Sequence, residues 1–152
     1  EKTHIPLRIP GRPEDRQNIV PVDFCSKLIA EVILRPQFHG RIYHLTNPDG
    51  PTNDMMKRIY EDYFGLYGGY FADPGEVIGK CSQAESLLWD QYNLLTPRVV
   101  HTPKFDMSHT QEAMQAADTP FPELTPERIH MLFDFAAARD WGRATGRTAI
   151  SR

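Results

Sequence analysis

The sequence lacks the features that mark several large classes of protein. Two cysteines, Cys25 and Cys81, in 152 residues are too few for a disulfide framework, so a reducing, cytoplasmic setting is expected. No secretory signal opens the chain, and no apolar run approaches the roughly 18 residues of a membrane span. The formal net charge of −3 gives no general attraction to nucleic acid or anionic membrane.

Motifs that perform catalysis or hold cofactors are also missing. The Gly-x-Gly-x-x-Gly turn of dinucleotide-binding folds is absent. Residues 75–81 resemble a phosphate loop but are one residue short, with Cys81 in place of the magnesium-binding hydroxyl. None of the six tyrosines is followed four residues later by the lysine that would help a phenol transfer a proton. We therefore assign no catalytic residue and no cofactor-binding residue.

The usual zinc-binding spacings are absent as well. Neither His-Glu-x-x-His nor paired Cys-x-x-Cys motifs occur. His101, Asp106 and His109 lie close in sequence, but their spacing matches no ligand pattern, and solvated or hydrogen-bonded histidines are the simpler interpretation. No metal site is assigned.

Hydrophobic periodicity predicts a helix-rich chain with two to four short strands. Asp23 is expected to cap a first helix with one apolar face, formed by Cys25, Leu28, Ile29, Val32 and Ile33. Thr52 is expected to cap a second helix, whose core includes Met56 and Ile59 and which ends at Gly65.

The remaining elements are predicted from local signals. Residues 1–16 read as an extended segment or loop, residues 41–45 as a short buried strand, and residues 66–73 as a strand or loop. A helix is expected at about 76–92, followed by an extended stretch at 97–105. Two further helices are predicted, one from a capping box at Ser108 and Gln111 and one from Thr125-Pro126, with Ile129, Leu132, Phe133 and Ala136 on its inner face.

Two stretches resemble a known family. Residues 18–24, NIVPVDF, precede a predicted helix, and residues 40–48 read GRIYHLTNP. Together they resemble the C-terminal half of extended short-chain dehydrogenase/reductases, in the branch of thioester reductases and fatty acyl-CoA reductases. Phe24 stands where that branch commonly has tyrosine. The two motifs cover about a fifth of the chain.

The resemblance implies a fold class, a function and a partner. Residues 1–152 would form a single substrate-side domain, a helix-rich α/β C-terminal lobe of an extended Rossmann-type reductase. An upstream Rossmann portion, outside this chain, would bind NADP or NAD and carry the catalytic residues. The substrate would be a small-molecule or carrier-bound acyl thioester or a related carbonyl compound. By itself the chain would bind no cofactor and catalyse nothing, and it would either dimerise or expose an apolar patch.

The resemblance also suggests residues near the substrate. Asn18, Pro21 and Val22 lie where the family's chain passes the cofactor and substrate cleft. His44 is either a pocket wall or a strand histidine held by hydrogen bonds. Three further residues, Arg8, Arg12 and Arg16, are either solvated or available to a substrate phosphate.

Two other functions remain open at this point. The chain could be the corresponding lobe of a sugar-nucleotide epimerase or of a dihydroflavonol-type reductase, although no arginine pair stands beside the first motif to clamp a diphosphate. Alternatively, it could be a stand-alone helical module that binds another protein.

Overall fold

The computed structural model describes residues 2–47, 49–73, 75–76, 82, 85–86 and 104–142. Four α-helices lie within these residues: α1 (Val22–Leu34), α2 (Asn53–Tyr63), α3 (Ser108–Ala116) and α4 (Pro126–Ala137). Short 3-10 turns follow α1 at Pro36–Phe38 and α4 at Asp140–Gly142. The described strands are β1 (Thr3–His4), β2 (Arg8–Pro10), β3 (Leu66–Tyr67) and β4 (Tyr70–Ala72).

The strands form two short parallel ladders. β1 pairs with β3, and β2 pairs with β4, so the N-terminal segment runs beside the chain that leaves α2. The predicted extended segment at 1–16 and the predicted strand or loop at 66–73 are confirmed. The helix-rich α/β fold with few short strands is confirmed as well. No helix in the described part of the chain is long and apolar enough to cross a membrane.

Two apolar clusters form the core. The first contains Phe24 and Leu28 of α1, Phe38 of the 3-10 turn, and Ala113 of α3. The second contains Met56 and Ile59 of α2 and Ile129 of α4. The segment before α1 lies between them, since Val20 packs against the first cluster and Ile19 against the second.

Helix α1 differs from its prediction in two ways. Pro21 occupies the N-cap position without a side-chain cap, so the predicted cap at Asp23 is wrong. Asp23 lies in the first turn, where its charge favours the helix dipole. Leu28 is fully buried, but Ile29 and Ile33 are 49% and 64% exposed. The helix is therefore apolar on two sides, and one of these sides is uncovered.

Helix α2 begins and ends as predicted. The Thr52 hydroxyl accepts from the backbone N–H of Met55 at 3.1 Å, and Gly65 follows the helix with a φ of +63°, a conformation that glycine adopts readily. The amides of Asn53 and Asp54 donate to the carbonyls of Asp15 and Pro13, in the N-terminal segment. The N-terminus of α2 is thus already satisfied by its own chain.

One glycine permits a close approach between the loop after residue 47 and the segment before α1. A Cβ atom on Gly50 would lie 1.9 Å from the carbonyl oxygen of Gln17. Only a residue without a side chain fits at this position, because the obstructing atom belongs to the backbone.

The two later helices confirm one cap and correct another. The Thr125 hydroxyl accepts from the N–H of Arg128, and Pro126 opens α4 as predicted. The capping box at Ser108 is wrong, because the carboxylate of Asp106 accepts the Ser108 N–H at 2.9 Å and Met107 takes the cap position. Leu132 is 55% exposed, so its predicted place on the inner face of α4 is also wrong.

The strand predicted at 41–45 is wrong, since these residues have no ladder partner among the described residues. Two backbone carbonyls of this segment are instead bonded to side chains of α3. The carbonyl of Ile42 lies 3.1 Å from the ring nitrogen of His109, and the carbonyl of His44 accepts from the Thr110 hydroxyl at 3.0 Å. Residues 41–47 nevertheless lie beside α1, because Tyr43 and Leu45 pack on the first core cluster.

Some predicted elements cannot be compared with the structure. Most of the helix at 76–92 and of the extended stretch at 97–105, together with Cys81 and His101, lies outside the described residues.

The two sides of α1 can be told apart by stability. Leu28→Ala removes a fully buried side chain and should lower the free energy of unfolding by about 2–5 kcal/mol. Ile29→Ala, the matched control one residue away, should lower it by less than about 1 kcal/mol, because Ile29 is half exposed. Urea unfolding followed by circular dichroism measures both, and equal losses would contradict the assignment of the two sides.

Candidate functional site

The first two sequence motifs meet through a pair of asparagines. The side-chain oxygen of Asn18 accepts the backbone N–H of Asn47 at 2.7 Å, and the amide of Asn47 donates to the carbonyl of Ile19 at 3.1 Å. Pro21 and Val22 follow directly, as the N-cap and first residue of α1. Three of the four proposed pocket residues therefore lie on one segment whose position is set by Asn47.

His44 lies on the same side of the first core cluster but has other neighbours. Its Nδ1 is 2.9 Å from the carbonyl oxygen of Asp106, and its ring lies 5.2 Å from that of Phe105. Because a carbonyl can only accept, Nδ1 is the donor in this hydrogen bond. The structure holds His44 by hydrogen bonds to α3 and its entry, and not to Asn18, Pro21 or Val22 in the described part of the chain.

His109 repeats this arrangement in the opposite direction. His44, in the second motif, bonds to the backbone before α3, while His109 of α3 bonds to the carbonyl of Ile42. The Asp106 carboxyl lies between them, and its pKa is lowered first by the Ser108 N–H, then by the Ser108 hydroxyl and the two histidines. Within the described residues no three His, Cys, Asp or Glu side chains are grouped so as to hold a metal ion.

The structure places Arg8 in a partly buried ion pair. Its guanidinium donates twice to the carboxylate of Glu85, with both N–O distances at 2.8 Å, and its backbone N–H donates to the same carboxylate. Glu85 is buried, and the backbone N–H of Ser82 donates to it as well. These hydrogen bonds, those from Arg8 being the strongest, hold the pKa of Glu85 well below its ordinary value.

Arg16 also has a structural role. Its guanidinium donates to the carbonyl of Gly50 at 2.8 Å, on the loop that Gly50 brings against residue 17. With Arg8 bound to Glu85 and Arg16 bound to Gly50, these two arginines connect parts of the chain. Arg12, which is exposed, is the member of the predicted trio best placed to meet a phosphate from solution.

One large apolar surface adjoins the asparagine pair. The α1 outer face, as we name it, consists of the exposed residues Val22, Ile29 and Ile33. Exposed apolar side chains grouped on one helix commonly mark a surface that another chain or segment covers. Ile42, 75% exposed, adds an apolar side chain from residues 41–47.

Several residues that organise this region were missed from the sequence. The sequence places Asn47 only within the second motif and Asn53 only within the predicted second helix, and it assigns no role to Glu85. Asn53 is buried, accepts from the side chain of Gln17 and donates to the carbonyl of Arg12. The signal for Asn47 was the Asn-Pro pair that ends the second motif; for Glu85 the sequence offers none, because its partner is 77 residues away.

Comparison with known proteins supports the fold. No protein-family model matches the chain, and no curated protein matches it significantly. Among solved structures, the chain is similar to the terminal R domain from the myxalamid PKS-NRPS biosynthetic pathway, with a TM-score of 0.66 and 23% sequence identity. The match covers 91% of this chain and 36% of that chain. At this identity the likeness establishes the fold, and it agrees with the family resemblance of the two sequence motifs.

The difference in length matters for function. Because this chain spans about a third of the R-domain chain, most of that structure has no counterpart here.

The Arg8–Glu85 pair predicts a pH dependence of stability. Glu85→Gln should destabilise the protein at pH 7, because the partly buried guanidinium of Arg8 would lose its charged partner. The pKa of Glu85 is lower in the folded than in the unfolded protein, so its ionised form stabilises the fold above the unfolded pKa of about 4.3. That contribution is lost as pH falls through the folded pKa.

The difference in urea midpoint between Glu85→Gln and the parent protein should therefore be constant from pH 7 to about pH 5 and should shrink below about pH 4. Glu112→Gln, which removes the partner of an exposed arginine, is the matched control and should change the midpoint little at any pH. A difference for Glu85→Gln that does not vary with pH would contradict the role of its ionised carboxylate.

Proposed function

We propose that this chain is the substrate-side, C-terminal portion of an NAD(P)H-dependent reductase that acts on acyl thioesters. The observation that supports this most strongly is the likeness of 91% of the chain to part of a terminal R domain of a PKS-NRPS pathway. The two motifs around Asn18 and His44 point independently to the thioester reductase branch. In this proposal the rest of the enzyme, a Rossmann portion, lies upstream.

Residues 41–46 favour the existence of a missing partner. The carbonyls of Ile42 and His44 both turn toward α3, as alternate carbonyls do in an extended chain, while Tyr43 and Leu45 turn toward the core. The other backbone groups of residues 41–46 have no hydrogen-bond partner in the described part of the chain. One edge is thus sealed by α3 and the other is open, which suits a strand that joins a sheet outside this chain.

The α1 outer face supports the same partner. It begins at Val22, within the first motif, and lies on a different side of α1 from Leu28. A helix that is apolar on two sides is usually buried on both. We propose that the upstream Rossmann portion covers this face; in its absence, a second copy of the chain would cover it instead.

The described residues do not fit a dinucleotide. A pyrophosphate is normally bound by free amides at a helix N-terminus after a glycine-rich turn. The first amides of α2 are taken by the carbonyls of Asp15 and Pro13, and the first turn of α1 carries the anionic Asp23. NADP or NAD would therefore be held by the upstream portion, and no step of hydride transfer is assigned to residues of this chain.

The role proposed for this chain is to shape the acyl site. Asn18, Pro21 and Val22 would line the cleft at the junction with the upstream portion, with His44 as a wall. The asparagine pair would fix the position of this segment, since Asn47 holds both Asn18 and the carbonyl of Ile19. The substrate would be a small-molecule or carrier-bound acyl thioester.

The test compares this chain with a longer protein that includes the coding sequence upstream. The longer protein should oxidise NADPH in the presence of an acyl-pantetheine thioester, whereas the chain of residues 1–152 should not. Measurable turnover by the short chain, or tight NADPH binding to it in calorimetry, would contradict the proposed division of roles. Failure of the longer protein to reduce any thioester would contradict the proposed reaction.

The docking surface can be tested within the longer protein. Ile29→Glu with Ile33→Glu should abolish more than about nine-tenths of the NADPH oxidation, because two carboxylates would be buried at the junction. The isolated chain with the same changes should unfold at nearly the parent urea concentration, since both side chains are exposed there. Lys27→Glu, an exposed position elsewhere on α1, is the control; an equal loss of activity in the control would argue against a specific junction.

A further inference from the structure

Helix α4 carries a second exposed apolar surface with a definite charge pattern. Its outer stripe follows the helical spacing i, i+3, i+4, i+7 and i+11, and consists of Arg128, Met131, Leu132, Phe135 and Arg139. The three apolar side chains are 61%, 55% and 58% exposed. We name these five residues the α4 outer stripe.

The stripe is separate from the side of α4 that forms the core. Ile129 belongs to the second core cluster, and Phe133 packs against it and against the rings of Tyr60 and Tyr63. The core therefore accounts for one side of α4 and leaves the apolar residues of the other side unexplained.

Both ends of the stripe are cationic. The guanidinium of Arg128 donates to the carbonyl of Glu123 at 2.7 Å, and that of Arg139 lies 3.5 Å above the ring of Phe135. Neither of them forms a salt bridge with a described carboxylate. Both side chains are thus held in place on the stripe without being neutralised.

The acidic side chains of α4, Asp134 and Glu127, contact other groups and do not neutralise the arginines of the stripe. Asp134 accepts from the hydroxyl of Tyr63 at 2.8 Å, which connects α4 to α2. Glu127 is held at the first turn by Thr125, which lowers its pKa. The outer stripe therefore presents a cation, three apolar groups and a second cation.

We propose that the α4 outer stripe is a docking site for an amphipathic helix of a partner protein, with an apolar centre and a carboxylate near each end. Arg139 lies two residues past the end of α4 and eleven positions after Arg128, or roughly 16 Å away at the rise of a helix. An acidic side chain at each end of the partner helix would meet a guanidinium, while apolar residues between them cover Met131, Leu132 and Phe135. This site is distinct from the α1 outer face and does not depend on the proposed reductase function.

The charge pattern disfavours a second copy of this chain as the occupant. In an antiparallel pair of stripes, Arg128 would face Arg139 of the other copy, and in a parallel pair each arginine would face itself. Like charges face each other in both arrangements. A membrane surface is also disfavoured, because α4 has 12 residues and the chain has a net charge of −3.

Two labelled peptides test the proposal on the intact chain. Each has 16 residues and the same leucines at i, i+3, i+4 and i+7; one has glutamates at both ends of the apolar stripe, and the other has lysines. Fluorescence anisotropy should give an affinity for the acidic peptide at least about tenfold higher at low salt, and salt should reduce the difference because the arginines are exposed.

Charge reversal separates this site from non-specific attraction. Arg128→Glu with Arg139→Glu should reverse the preference between the two peptides. Leu132→Ala with Phe135→Ala should weaken binding of the acidic peptide by at least about tenfold, whereas Lys104→Glu, before α3, should leave it unchanged. Circular dichroism of every variant checks that the fold is retained.

Four outcomes would overturn the proposal. Equal affinities for the two peptides would remove the charge complementarity, and weakening by Lys104→Glu equal to that of the double reversal would place the attraction elsewhere. Tighter binding of the chain to vesicles containing phosphatidylserine than to the acidic peptide would identify a lipid surface as the occupant. Concentration-dependent dimerisation abolished by Leu132→Glu would identify a second copy instead.

Discussion

The arrangement of this protein depends on a few residues of the chain that lie between two apolar clusters. Ile19 and Val20 are adjacent, yet they pack on opposite clusters, so this segment cannot shift without opening both. Polar contacts hold it on either side: the Gln17 N–H donates to the carbonyl of Pro51 at 2.9 Å, and Asn18 accepts from Asn47 at 2.7 Å. The start of α1 and the proposed substrate segment are positioned by these contacts.

The helix that follows is unusual because its apolar residues exceed what the core of this chain can cover. Leu28 is fully buried, while Ile29 and Ile33 face outward. Together with the open edge of residues 41–46, this surface is what a lobe would present if another portion of the same enzyme normally packed against it. The α4 outer stripe differs, since its apolar residues are bordered by arginines that suit an external, charged partner.

Sequence reasoning predicted the helices well where the signal was local. Thr52, Gly65 and Thr125-Pro126 act within one helical turn, and each was identified correctly. It failed at other positions. Residues 41–45 have no ladder partner in the described part of the chain, and His109 and Thr110 contact two of their carbonyls. The capping box of α3 failed for a local reason, since Asp106 accepts the Ser108 N–H and Met107 takes the cap position. Of the proposed site, Asn18 was found through its motif, whereas the role of Asn47 as its partner was not predicted.

The sequence by itself determined the helix-rich character, the two linked motifs and the resemblance to an extended reductase, because spacing, caps and short motifs are properties of neighbouring residues. Tertiary structure alone decided which apolar residues are covered and which charges are paired. Arg8 was open to a phosphate until its pairing with Glu85, 77 residues away, became visible. Ile29 was assigned to the core until the position of α3 left it outside. Such outcomes depend on which distant segments approach, and helical periodicity carries no information about that.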